Sequence, residues 1–179
     1  VMIANSRGPE TIEPAALHGG ARAVEAVDVV RDVDVLILSV PLHRVPALAT
    51  LVAEAPSGAV VIDTSNYYPQ RDQRISPIDE GQTESQWAAE QLGRPIIKAW
   101  NAVGSGPLEA ATTESGNAER IAIPVAGDDI DAKLVTSVIE WVRKLPPFMP
   151  EVRDKPQRFR SPLWFARSER GPDAVPPTR

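Results

Sequence analysis

The chain has 179 residues, a formal net charge of −5 and no cysteine. That length suits one compact domain and is too short for two full-sized ones. The acidic balance argues against nucleic acid as a partner, because gripping a phosphate backbone needs a basic face. The lack of cysteine excludes disulfides, thiol nucleophiles and thiolate metal sites. No apolar run approaches the roughly 20 residues of a bilayer-spanning helix, and no signal peptide is visible. The expectation is a cytoplasmic protein without a membrane partner.

Charge is distributed unevenly. Residues 143–179 carry nine Lys/Arg against four Asp/Glu, while the first 142 carry ten against twenty. The same end holds eight of the eighteen prolines and no clean periodicity. A boundary is therefore expected near Leu145, with a domain over 1–144 and an irregular or disordered, basic, proline-rich tail over 145–179.

In chain order, Val1 to Ala4 is a short apolar run ending at Asn5-Ser6-Arg7-Gly8-Pro9. Pro9 suits the first turn of a helix that Thr11 to Leu17 continues until His18-Gly19-Gly20. Arg22 to Val24 reads as a short strand and Glu25 to Arg31 as a helical turn. Val35 to Val40, closed by Pro41, is a continuous apolar run. Its length and branched residues predict a strand buried on both faces. Leu42 to Glu54 has helical spacing, with Pro46 tolerable only in the first turn.

Ala59 to Ile62 is a second buried strand, leading into Asp63-Thr64-Ser65-Asn66. A polar loop follows from Tyr67 to about Thr83, then a helix from Glu84 to Leu92 capped by Gly93. Pro95 to Ala99 and Ile121 to Ala126 are the third and fourth strands of this series, and a helix runs from Ile130 to Arg143. Strands alternating with helices predict an α/β fold, a Rossmann-like doubly wound parallel sheet.

Ligands of such sheets collect at the carboxyl ends of the strands. At the end of the second strand of a dinucleotide fold, an acidic residue binds a ribose 2′-hydroxyl, whereas arginine accommodates a 2′-phosphate. Here that position reads Asn5-Ser6-Arg7, without a carboxylate. Arg7 can pair with a phosphate through its fork and Ser6 can donate a hydroxyl, which points to NADP. Alone, an arginine after a strand is an ordinary solvated side chain; the strand–loop–helix setting carries the functional reading.

Ser39-Val40-Pro41 ends a buried strand where a nicotinamide ribose would lie, and is equally open to being a plain strand stop. Asp63 to Pro69 crowds polar side chains and two tyrosines at the next edge, a pattern that also fits a hydrogen-bonded turn. Lys98-Ala99-Trp100-Asn101 closes the third strand, so Asn66 and Asn101 are candidates to face one crevice. Lys98, inside its strand, reads as structural rather than as a base. Gly104 and Gly106 do not make a phosphate loop, because they follow a late strand and the third position is Glu109. The two histidines, His18 and His43, lie in different segments. A metal site or a nucleophile–histidine pair is not expected.

Taken in order, Asn5 to Pro9, Val35 to Pro41, Val61 to Pro69, Ile78 to Ser85, Lys98 to Asn101 and Ile123 to Asp129 resemble the coenzyme F420-dependent NADP oxidoreductases. The resemblance covers about residues 1–142. It implies a hydride passed between the nicotinamide of NADP and a small-molecule acceptor, a deazaflavin (coenzyme F420) or a flavin. It also implies that Ser6 and Arg7 hold the 2′-phosphate, that Ser39, Val40 and Pro41 border the nicotinamide, and that Asn101 and its neighbours face the acceptor. No side chain is expected to act as acid or base, because hydride transfer needs stacked rings and excluded water. A homodimer is the expected assembly.

Two departures stand against the family pattern. Its members open with a strand and a Gly-x-Gly-x-x-Gly turn that cradles pyrophosphate at a helix N-terminus. This sequence begins at what would be the second strand, so the chain reads as truncated and the neighbours of the absent strand are expected to lack a ladder partner. The segment from Lys144 onward also departs from the family's ending, as a frame shift or a remodelled terminus would. Two further readings keep the fold: a non-catalytic nucleotide-binding or scaffold remnant, and a relative reducing ferric iron or flavin.

Overall fold

The computed structural model of the chain describes residues 1–18, 20–104 and 123–143. The tail expected over 145–179 and its boundary, together with Gly106 and Glu109, lie outside the described residues.

Short apolar runs form the strands. β1 (Met2–Ile3) and β2 (Arg22–Ala23) pair in parallel as a two-stranded sheet, with Met2 opposite Arg22 and Ile3 opposite Ala23. β3 (Val35–Leu38), β4 (Val60–Asp63), β5 (Ile97–Ala99) and β6 (Val125–Ala126) make a four-stranded sheet in that order. β3, β4 and β5 are mutually parallel, and the β3–β4 register runs from Val35 opposite Val60 to Leu38 opposite Asp63. β6 departs from the expected parallel sheet: it is antiparallel to β5, pairing Lys98 with Ala126 and Ala99 with Val125. A short strand at a sheet edge takes this direction because it needs no crossover helix.

The two sheets are not joined by a ladder. Among the described residues, β1 and β2 pair only with each other, and β3 to β6 only among themselves. β3 is consequently an edge strand, and its expected burial on both faces is corrected. Leu36 and Leu38 are each 6% exposed while Ile37 is 48% exposed. The strand also ends at Leu38 rather than Val40.

Helices cover both faces of the larger sheet. On one face Leu36, Leu38 and Val61 pack with Leu42, Val45 and Val52 and with Trp87, Ala88 and Leu92. On the other, Ile62, Ile97 and Ala99 pack with Val125 and Ala132. The second cluster is covered by α5 (Ile130–Arg143). The α/β, Rossmann-like class expected from the alternation is thus the observed one.

Proline placement explains several local differences. Leu42–Leu48 is a 3-10 helix, and only Ala49–Ala53 (α1) is α-helical. Pro46 has no N–H to give, and its ring obstructs the α ladder, so the tighter turn persists until the chain is past it. The expected helix after Pro9 splits into 3-10 turns at Pro9–Thr11 and Pro14–Leu17 for the same reason. Glu25 to Arg31 forms turns rather than a helix.

The expected loop from Tyr67 to Thr83 contains two one-turn helices, α2 (Pro69–Asp72) and α3 (Ser76–Asp79). Each has proline in its first positions, and Gln73 at φ 62° separates them. α4 (Glu84–Leu92) matches its expected bounds. Thr83 and Gln86 form a reciprocal capping box, and Gly93 at φ 66° supplies the left-handed stop that a side chain would strain.

Candidate functional site

The carboxyl ends of β3, β4 and β5 lie side by side because the strands are parallel, and the chain loads that edge with polar groups. Asp63, the last residue of β4, is fully buried and stands opposite Lys98 of β5 in the ladder. The Lys98 ammonium lies 2.8 Å from Asp63 Oδ2 and 3.4 Å from Glu84 Oε2 of α4. Asp63 Oδ1 accepts the Ser65 backbone N–H at 3.0 Å, and Oδ2 accepts the Ser65 hydroxyl at 3.0 Å. Glu84 Oε1 accepts the Tyr67 N–H at 3.0 Å. Charges this deep persist only when paired and hydrogen-bonded, and here one cation serves two carboxylates. Lys98 is therefore a cross-tie that fixes the 64–67 loop, as its position inside a strand suggested.

That loop presents Asn66. Asn66 donates from Nδ2 to the Asn101 carbonyl at 2.8 Å, and Asn101 donates from Nδ2 to Asn66 Oδ1 at 3.1 Å. The two candidates from successive strand ends thus meet in one reciprocal pair. Trp100, between β5 and Asn101, has φ 61°, a backbone conformation costly for an aromatic residue. Its buried indole N–H has no hydrogen-bond partner among the described residues.

A second polar cluster joins the loops after β3 and β4. Asp72, at the end of α2, is 2% exposed and its carboxylate accepts four hydrogen bonds. Oδ1 takes His43 Nδ1 at 2.8 Å and Arg71 Nε at 2.9 Å. Oδ2 takes the Tyr68 N–H at 2.8 Å and Arg71 Nη2 at 2.8 Å. The Arg71 guanidinium, with His43 and the Tyr68 N–H, holds the Asp72 carboxyl well below the usual carboxylate range against the opposing cost of burial. The same pairing raises Arg71 above its ordinary value. Arg71 also stacks 4.9 Å from the Tyr68 ring centroid and donates to the Asn66 carbonyl at 2.8 Å, linking this cluster to the asparagine pair.

Ser39 is exposed, while Val40 and Pro41 are half-buried, with Val40 packed on the core. They lead directly into the 3-10 helix that carries His43. Ser6 and Arg7 are exposed beyond β1, in a turn held by Asn5, whose Oδ1 accepts the Arg7 N–H at 2.8 Å. Asn5 Nδ2 in turn donates to Thr11 Oγ1 at 2.8 Å. Gly8 follows at φ 101°. The turn is not as free of carboxylate as Asn5-Ser6-Arg7 implied. The Glu10 carboxylate folds back to 2.6 Å from where a Gly8 Cβ would stand. It does so because the 3-10 turn Pro9–Thr11 brings residue 10 over residue 8.

The structure thus brings Asn66 and Asn101 together and sets Ser39 to Pro41 at the same edge of the sheet. Ser6 and Arg7 sit on the smaller sheet, without hydrogen bonds to that edge among the described residues. A cavity of about 490 Å³ lies at the opposite edge, lined by residues such as Gly58, Leu92, Arg94 and Ile96. There the Arg94 guanidinium is engaged by the carbonyls of Val52, Pro56, Ser57 and Ala59, so the cavity offers little chemistry. Among the described residues, no cluster of His, Asp or Glu could hold a metal ion, and no helix is long and apolar enough to cross a membrane.

Sequence reading missed Glu84, His43 and Asp72 as partners. Asp63 had a signal, a carboxylate ending an apolar strand. Asp72 had none, because its burial depends on a one-turn helix inside a stretch without periodicity.

Comparison with known proteins gives a family match over the N-terminal part of the chain and two similar solved structures. Residues 1–67 match the model of the family described as NADP oxidoreductase, coenzyme F420-dependent. A hypothetical protein from Sinorhizobium meliloti superposes with a TM-score of 0.60 at 27% identity, over 78% of this chain and 67% of that one. A protein from Arthrobacter sp. FB24, provisionally described as an F420-dependent NADP reductase, superposes with a TM-score of 0.62 over 79% of this chain and 69% of that one. The latter is 15% identical, which speaks for the shared fold alone. No curated protein matches the chain.

Proposed function

We propose that this chain is the NADP-binding part of an oxidoreductase that passes a hydride between nicotinamide and a deazaflavin or flavin acceptor. The reading rests on the family resemblance over residues 1–67, which contains both the Ser6-Arg7 turn and the Ser39–Pro41 edge.

The residues fit one end of NADP well. Arg7 is exposed and its fork suits a phosphate, and Ser6 adds a hydroxyl from a turn whose backbone Asn5 already fixes. Ser39 to Pro41 follow β3 at the carboxyl edge of the sheet, with Val40 packed on the apolar core. Among the described residues none forms a glycine-rich turn for the pyrophosphate. NADP supplies the hydride; the chain's own residues orient the cofactor and exclude water. The Asp63–Lys98–Glu84 tie keeps the loop carrying Asn66 fixed, and Asn66 with Asn101 makes a rigid polar floor of amide groups for the acceptor ring. Rigid placement of two rings is what such a transfer chiefly requires.

Within that match, the exposed Ser6-Arg7 pair after β1 carries the assignment to NADP. Titration of the purified chain with NADPH and with NADH, followed by nicotinamide fluorescence, tests it. NADPH is expected to bind more tightly, and Arg7→Ala to weaken NADPH by roughly tenfold or more while leaving NADH nearly unchanged, in line with about 1.5–3 kcal/mol for a charge-assisted contact. Equal losses for both nucleotides would remove the phosphate assignment. Failure of either nucleotide to bind a folded chain would favour the non-catalytic remnant.

A further inference from the structure

The His43–Asp72 pair is not used by the function proposed above, and its chemistry is specific. A carboxylate that accepts four hydrogen bonds and stays ionised has no proton to donate. The imidazole nitrogen 2.8 Å from it, Nδ1, must therefore be the donor. That fixes the neutral ring as the Nδ1–H tautomer, with the lone pair on Nε2. The Nε2 atom has no protein partner among the described residues, and the ring is 30% exposed, open enough to exchange protons with solvent. His43 sits two residues after Pro41, on the helix that begins at the edge where the nicotinamide is proposed to lie.

We infer that His43, positioned by Asp72, carries the proton that must accompany the hydride. This rests on the proposed reaction. A hydride brings two electrons and one proton to a deazaflavin or flavin ring, and the two-electron reduced ring needs one further proton on a ring nitrogen. The imidazolium gives its Nε2 proton as the hydride arrives, leaves as the neutral Nδ1–H ring, and is recharged from solvent. In the reverse direction Nε2 accepts that proton while the hydride returns to nicotinamide. Charge and atoms balance with no further reactant. The arrangement, an acceptor-only carboxylate orienting the imidazole that does the transfer, is the one general acid–base sites use.

The charged groups around His43 are few. Asp72 is its hydrogen-bond partner, and the Arg71 guanidinium bridges both oxygens of that carboxylate, sharing Oδ1 with His43. Arg44 is its neighbour in the chain. Of the elements packed on its helix, α1 is followed by Glu54, and α4 carries Glu84 and Glu90. None of these three pairs with His43, and Glu84 is engaged by Lys98.

Nitrogen-15 spectra of the imidazoles test the inference in two stages, with His18 as the reference. In the wild type, neutral His43 should show Nδ1–H and a bare Nε2, and Asp72→Asn should return it towards the His18 pattern. A wild-type His43 with its proton on Nε2 overturns the inference. The second stage is single-turnover hydride transfer from NADPH to an oxidised deazaflavin across pH. His43→Gln should keep NADPH affinity, slow the transfer by roughly a hundredfold and flatten its pH profile. Wild-type rates in His43→Gln overturn the proton role and leave the oxidoreductase reading intact. An intact tautomer in a chain that binds no NADPH overturns both and reduces the pair to a tie between two loops.

Discussion

Single side chains at this molecule's polar edge have separable tasks, and Asp72 shows it through pH. Its carboxyl is held low in the fold, so it is still ionised where the unfolded chain takes up a proton at about pH 4. The stability it contributes is therefore fully present above that pH and is lost as the medium is acidified further. Asp72→Asn is expected to cost roughly 1–3 kcal/mol at neutral pH, with the gap to the wild type closing in acid. Urea unfolding at pH 7 and pH 3 checks this; a gap that stays constant would contradict it. At the other proposed subsite, Glu10 folds over Gly8, the residue after Arg7, where its charge would oppose an incoming phosphate. Glu10→Gln should tighten NADPH severalfold and leave NADH unaffected, as read by the same fluorescence titration.

The elements are held in register by polar cross-ties as much as by apolar packing. Lys98 stands buried between Asp63 and Glu84, so Lys98→Met leaves two carboxylates without their cation and should cost roughly 3–5 kcal/mol. Thermal unfolding measures that loss, and Lys98→Met combined with Asp63→Asn should recover much of it. Equal stabilities of the single and double variants would refute the cross-tie. The strands and α4 were legible in the sequence because each is set locally: apolar runs such as Val60 to Ile62, and Thr83 with Gln86 as a start signal. The one-turn helices at Pro69 and Ser76 were not, since four residues carry no periodicity. Burial of β3 was misjudged because its apolar run resembles a central strand, whereas exposure depends on which neighbours the sheet provides. The shared edge of Asn66 and Asn101 followed from strand order and parallel direction, while their mutual hydrogen bonds, like the His43–Asp72 contact across 29 positions, are encoded by no local pattern.

At the scale of the whole molecule, the broken sheet is the feature with the most consequence. Among the described residues β3 presents an unpaired edge, with Ile37 48% exposed, and such an edge invites pairing with another chain. Self-association is expected at micromolar concentration, and Ile37→Lys should shift sedimentation towards the monomer; an unchanged profile would locate the contact elsewhere. The same architecture sets Ser39 to Pro41, Asn66 and Asn101 on one edge of the larger sheet, and that placement is what makes ring-to-ring hydride transfer the central claim. The direct test is to mix the chain with oxidised deazaflavin and NADPH carrying deuterium at the transferred position, then examine the reduced deazaflavin by mass spectrometry. One deuterium in the product is expected, with a slower bleaching of the deazaflavin than with unlabelled NADPH. Reduced deazaflavin without deuterium, or no reduction by a chain that binds NADPH, would contradict the claim.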